Sequence, residues 1–188
     1  MKDYPDIPDS LHDRLGDCGP AVLSLLDTWC GMRNGNLIPG RHDFNPARVS
    51  RYLGKLYLYK FETDIGDFVC RLAGEEINEA WEFRLKGKSF RQVVSEEHHE
   101  SALNRWRAII DQPLIQYGRF TEKGRQGGER VGERLVLPLR GDSGKGEFIL
   151  GIADYKVSQA DRSWIKPVWD NVIRVPCADI PHVRATET

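Results

Sequence analysis

Residues 66–90 read GDFVCRLAGEEINEAWEFRLKGKSF, and the way this stretch folds decides the architecture. Phe68, Cys70 and Leu72 alternate with Val69, Arg71 and Ala73, the two-residue period of a strand. Gly74 stops that strand, and Glu75 to Ala80 reads as a short acidic helical segment. Leu85 and Phe90 bracket a basic turn, Lys86-Gly87-Lys88. A strand that runs into several short helical turns, rather than into one long helix, predicts a sheet wrapped partly around a ligand-sized space.

Just upstream, KLYLYKF (55–61) is apolar or aromatic on both faces, so it reads as a strand covered on both sides. Glu62 to Gly66 joins the two strands as a tight hairpin. Asp43 or Asn45 can cap a short helix from Pro46 to Leu53. Further back, Gly19-Pro20 opens a helix that Asn34-Gly35-Asn36 ends. Its Val22, Leu25, Leu26, Trp29 and Met32 form one stripe, which either caps its own domain or pairs with a second copy. Met1 to Asp17 reads as a loose lead-in.

Downstream, Phe90 to Val94 reads as a helical turn, and Glu96 to Asp111 as a long helix carrying Ala102, Leu103, Trp106, Ile109 and Ile110 on one stripe. Pro113 to Phe120 is predicted as a strand, Thr121 to Gly132 as a long mobile hairpin loop. Glu133 to Arg140 follows as a strand with Leu135, Leu137 and Leu139 on one face, and Glu147 to Val157 as the last strong strand. In the tail, Trp164, Ile165, Val168, Trp169, Val172 and Ile173 recur at four-residue spacing, which predicts a helix from near Asp161. This order predicts an α+β fold: a five-stranded antiparallel sheet with helices on one side. The expected divisions are a lead-in at 1–18, a flanking helix at 19–36, a core at 37–157 and a partly helical tail at 158–188.

The 188 residues suit one domain with appended segments, and 40% hydrophobic with 29% charged residues is ordinary for a globular protein. A formal charge of -1 gives no electrostatic reason to expect nucleic acid or an anionic membrane as partner. Four cysteines, at 18, 30, 70 and 177, have neither CxxC pairing nor metal spacing. With no leader pattern at the start and no run of roughly 20 apolar residues, the expectation is a cytoplasmic protein with reduced thiols.

The motifs LLDTW (25–29), IPGRHDFNP (38–46), GDFVCRLAGEEI (66–77), LKGKSF (85–90), ERLVLPL (133–139) and FILGIADY (148–155) occur in one order across roughly residues 22–155. In that order and spacing the chain resembles a PAS domain, and within that family the short standalone PAS proteins of α-proteobacteria. The resemblance implies a sensory or regulatory module, commonly a homodimer formed through a helix flanking the core; Val22, Leu25, Leu26 and Trp29 are the candidate dimer residues. It brings no shared ligand and no catalytic residues. Arg41, Asp43, Pro46, Arg71, Gly74 and Gly87 match its motifs and read as structural, with Arg41 or Arg71 pairing with Asp43 or Asp67 to pin the leading helix onto the sheet.

Chemistry is weakly signalled. Cys70-Arg71-Leu72 lies in a predicted strand and lacks the Asn-Cys-Arg-Phe run of flavin-binding photosensor PAS domains, so a buried structural thiol is expected. His98 and His99, flanked by Glu96, Glu97 and Glu100, read as a solvated helix start rather than a haem or metal site, because a helix N-terminus favours acidic residues. Asp67, Glu75 and Glu76 read as a surface turn with no partner base. Neither a catalytic group nor a cofactor nor a metal is assigned. The space between sheet and short helices is expected to be lined by Phe68, Cys70, Leu72, Ile77, Trp81, Phe90, Trp106, Leu137 and Ile152, either around a small ligand or, as the favoured reading, as a nearly filled core. The expected function is a non-enzymatic sensor acting through a small ligand, a protein partner of unknown identity, or both. The alternatives are a small enzyme on a cone-like α+β fold using Asp67 or Asp154, and a plain carrier.

Overall fold

A computed structural model of the chain describes residues 4–123, 129–157 and 168–182. Five α-helices are formed there: α1 (Asp9–Leu15), α2 (Pro20–Met32), α3 (Glu75–Trp81), α4 (Phe90–Val93) and α5 (Glu96–Asp111). Six strands are formed: β1 (Leu56–Glu62), β2 (Asp67–Ala73), β3 (Leu114–Lys123), β4 (Glu129–Arg140), β5 (Gly146–Val157) and β6 (Val168–Pro176). They make one antiparallel sheet in the order β2-β1-β5-β4-β3-β6. The α+β class and the antiparallel sheet stand as expected from the sequence, with the differences that follow.

The sheet has six strands, not five. The tail supplies the sixth: β6 pairs along β3 where a helix was expected, and the region around Asp161 where that helix was to start lies outside the described residues. Likewise, β3 runs to Lys123 and β4 starts at Glu129, so most of the expected loop at 121–132 is strand and only 124–128 lie outside the described residues.

Helices cover both faces. On one side, α3, α4 and α5 pack over Tyr57, Tyr59, Val136, Ile149 and Ala153. On the other, α1 and α2 pack over Leu56, Leu58, Leu135, Leu137, Leu139, Leu150 and Ile152. The expected loose lead-in therefore contains a helix whose Leu11 and Leu15 are core residues. Both faces of β1 are covered, which is what its doubly apolar sequence required.

The leading helix docks on its own sheet. Val22, Leu25, Leu26 and Trp29 are each 0% exposed, so the stripe assigned to a dimer contact is closed inside the protomer. α2 sits against β4 and β5, not against β2, which lies at the sheet edge. The Trp29 indole N–H donates to the Pro138 carbonyl at 2.9 Å. At its start, the backbone N–H of Gly19 donates to both Glu133 carboxylate oxygens, at 2.9 and 3.1 Å, an acid placed against the positive end of a helix. A Cβ at position 19 would push that carboxylate aside and disturb this cap. At its end, the buried Arg33 guanidinium donates to the carbonyls of Leu37, Cys177 and Ile180, tying the helix to the chain beyond β6.

The expected Arg41 or Arg71 pair with Asp43 or Asp67 is not formed. Asp43 accepts from the Gly40 N–H at 2.7 Å and faces Arg140 at 3.8 Å. Arg71 is exposed and pairs with Glu62 at the hairpin. A solvated pair at a sheet edge contributes little, so Arg71→Ala is expected to change unfolding free energy by less than about 1 kcal/mol in urea titration.

Candidate functional site

The site begins with the alternation in β1. Leu56 and Leu58 face α2, so Tyr57, Tyr59 and Phe61 face α3 to α5. The Tyr57 ring lies over Gly151 of β5, its register partner, where any Cβ would collide with the ring. Trp106 of α5 stacks on Tyr57 with centroids 5.8 Å apart and meets Tyr59 edge-on at 5.1 Å. Phe90 of α4 completes the group, 4.4 Å from Trp106 and 5.3 Å from Tyr59. Such edge and offset contacts orient the rings as well as burying them.

Asp67 and the segment after α3 hold the helical wall in place. Asp67 is 2% exposed; its Oδ1 accepts from the Phe68 N–H at 2.9 Å and lies 3.3 Å from His99 Nε2. Its Oδ2 accepts from the Arg91 N–H at 3.0 Å, in the first turn of α4. One carboxylate thus joins the start of β2 to α4 and α5, which corrects the surface-turn reading of Asp67 and the solvated reading of His99. The outer edge of β2 is closed by residues 87–88: the Cys70 N–H donates to the Lys88 carbonyl, and the Gly87 N–H to the Cys70 carbonyl. Burial pushes the Cys70 thiol up to about 11, tempered by its Tyr59 hydrogen bond, so it is a packed and unreactive group.

Between this wall and the sheet lies a cavity of about 380 Å³, where a nearly filled core was the favoured expectation. Of the expected lining residues, Ile77, Trp81, Phe90 and Trp106 line it. Phe68 and Cys70 lie behind them in the same cluster. Leu72, Leu137 and Ile152 are on the α2 face and do not belong to the site. The sequence reading did not assign Tyr57, Tyr59, Arg105, Gln116, Arg134 and Tyr155, all of which line the cavity. The both-sided pattern of KLYLYKF is the signal that could have placed the tyrosines.

The lining is apolar at one end and polar at the other. Tyr57 has its hydroxyl buried with no hydrogen-bond partner, and burial raises its pKa well above the ordinary tyrosine value. An orphaned buried hydroxyl is costly, and a wall of a cavity is where an incoming group can satisfy it. Ser95, Ser101 and Arg105 line the cavity and are also exposed, so the rim lies along the α4–α5 side. Asp67 and Asp154, the acids of the enzyme alternative, do not line it. Asp154 is engaged by Lys55. Among the described residues no three His, Cys, Asp or Glu side chains gather where they could hold a metal ion, and no helix is long and apolar enough to cross a membrane.

No curated protein matches this chain. Among solved structures it is similar to the Vibrio cholerae VqmA dimer, studied in the absence of target DNA as a LuxR-type receptor. The TM-score is 0.45 at 13% identity, over 62% of this chain and 55% of that one, so the match spans little more than half of VqmA. Residues 19–154, well over half of the chain, match the model of the PAS domain family, and the chain belongs to that family.

Proposed function

We propose that this protein is a PAS sensory or regulatory module in which a small molecule enters the cavity between the sheet and α3–α5. Family membership supports a sensory or regulatory role in general terms. The observation that carries the ligand reading is the cavity of about 380 Å³ with the unpartnered Tyr57 hydroxyl in its wall. That volume falls in the range of small-molecule sites, and the aromatic group around Trp106 gives an apolar body a defined seat. Occupancy would brace α4 and α5 against the sheet, and output would pass through a protein contact or a change in self-assembly. Because the α2 stripe is inside the protomer, any self-assembly uses a different surface or an undocked helix.

The test is binding of the neutral fluorescent probe N-phenyl-1-naphthylamine, read by its emission and by quenching of tryptophan. Wild-type protein is expected to bind it saturably, one per chain. Ala102→Trp puts an indole into the open space from α5 and is expected to weaken binding about tenfold or more, as loss of a small buried apolar area would. Native mass spectrometry of freshly purified protein reports any retained molecule and the subunit count together. Probe binding that fails to saturate, or that is equal in Ala102→Trp, removes the cavity as a ligand site.

A further inference from the structure

The polar end of the cavity has a composition that its apolar walls do not explain. Arg134 of β4 and Gln116 of β3 stand on the cavity face of the sheet, and Arg105 of α5 stands on the rim opposite. Arg174 of β6 is the register partner of Gln116, and its Nε–H donates to Gln116 Oε1 at 3.0 Å. With that oxygen engaged, Gln116 has its amide NH2 left as a donor. Arg134 is held in place by the Tyr155 hydroxyl at 3.1 Å and by the Phe120 ring at 5.1 Å.

Every charged residue of the lining is basic. Among the described residues no Asp or Glu lines the cavity, and neither Arg105 nor Arg174 has an ion-pair partner. Glu133, the neighbour of Arg134, points to the other face, where it holds Gly19 and the Tyr117 hydroxyl. Asp154 is likewise held by Lys55. The basicity of Arg105 is lowered by partial burial and then by the fields of Arg174 and Arg134. Arg105 is thus a cation on the cavity rim that an incoming anion can reach, and a guanidinium fork matches the planar two-oxygen edge of a carboxylate.

We propose that the cavity takes a small carboxylic acid with an aromatic or apolar body, its carboxylate toward Arg105 and the Gln116 amide and its body against Trp106. This rests on the cavity being a ligand site, and the two claims separate by experiment. Calorimetry compares 1-naphthylacetate with its neutral isostere 1-naphthylacetamide, alongside N-phenyl-1-naphthylamine. The acid is expected to bind about tenfold or more tighter than the amide, as a charge-assisted hydrogen bond would give. That preference should shrink between low and high salt. In Arg105→Gln, a rim substitution expected to leave the melting temperature unchanged, the acid-to-amide ratio should collapse toward one. An amide that binds as well as the acid overturns the carboxylate assignment, as does a failure of both naphthyl compounds while the neutral amine binds. An undiminished ratio in Arg105→Gln overturns the role given to Arg105. Failure of all three compounds overturns the ligand site itself.

Discussion

Trp29→Ala is expected to lower the unfolding free energy by about 3–5 kcal/mol, the usual range for removing a buried tryptophan. Trp29 is 0% exposed within the core between α1, α2 and the sheet. Its indole N–H also satisfies the carbonyl of Pro138 at 2.9 Å. Proline is rare within a sheet because it removes a ladder donor, yet Pro138 lies just past the last β3–β4 register pair, Gln116 with Val136. The missing N–H therefore leaves no partner waiting on β3, and the carbonyl is served by the helix above. The alanine variant loses both ring packing and that bond, whereas Trp29→Phe keeps most of the ring and should lose only about 1–2 kcal/mol. The measurement is urea unfolding followed by circular dichroism, and the melting temperature of the alanine variant should fall on the order of 10 °C. The subunit count of folded protein should be unchanged, because the residue faces its own sheet. A loss of under about 1 kcal/mol together with a changed subunit count would return this stripe to an interface between copies.

What the sequence made legible follows from where one period dominated. Leu135, Leu137 and Leu139 alternate without interruption, and β4 forms with those three buried. KLYLYKF was apolar on both faces, and β1 is covered on both. Face assignment was harder, because parity decides it and parity can slip. Phe68, Cys70 and Leu72 share a parity in sequence, but the register passes from Tyr59–Cys70 to Leu58–Leu72, skipping Arg71. That bulge turns Leu72 toward α2 while Phe68 and Cys70 stay behind the cavity. Leu137 and Ile152 were misplaced for a simpler reason: nothing in an apolar strand says which face meets which helix until both faces are known to be covered. In the tail, the four-residue spacing of apolar residues outweighed the alternation of Ile173, Val175 and Cys177, and pairing with β3 made it a strand. The cavity itself was not legible, since an unfilled space depends on how far α5 stands from the sheet and not on which residues line it.

Asp67→Ala is expected to lower stability by about 2–4 kcal/mol, because it strips a buried acceptor from three donors at once. Two of these are backbone N–H groups, of Phe68 at 2.9 Å and Arg91 at 3.0 Å, and the third is His99, 3.3 Å away and itself 8% exposed. Water cannot readily replace the carboxylate at a position only 2% exposed. His99→Ala should cost less, about 1–2 kcal/mol, since Asp67 then keeps both backbone bonds. Asp67→Asn retains the shape and one carbonyl oxygen, so it should fall between the wild type and alanine. The consequence extends beyond stability because these bonds join β2 to the first turns of the two helices that wall the cavity. In Asp67→Ala, amide exchange at Arg91 and along the first turns of α4 and α5 should accelerate far more than in β4 or β5. Binding of N-phenyl-1-naphthylamine should weaken in the same variant at temperatures where it remains folded, because Phe90 and Trp106 lose their fixed spacing from Tyr59. Hydrogen exchange with the probe titration checks both. Uniformly faster exchange across the sheet and helices would make Asp67 a general core residue, whereas acceleration confined to α4 and α5 identifies it as the pin on which the cavity wall turns.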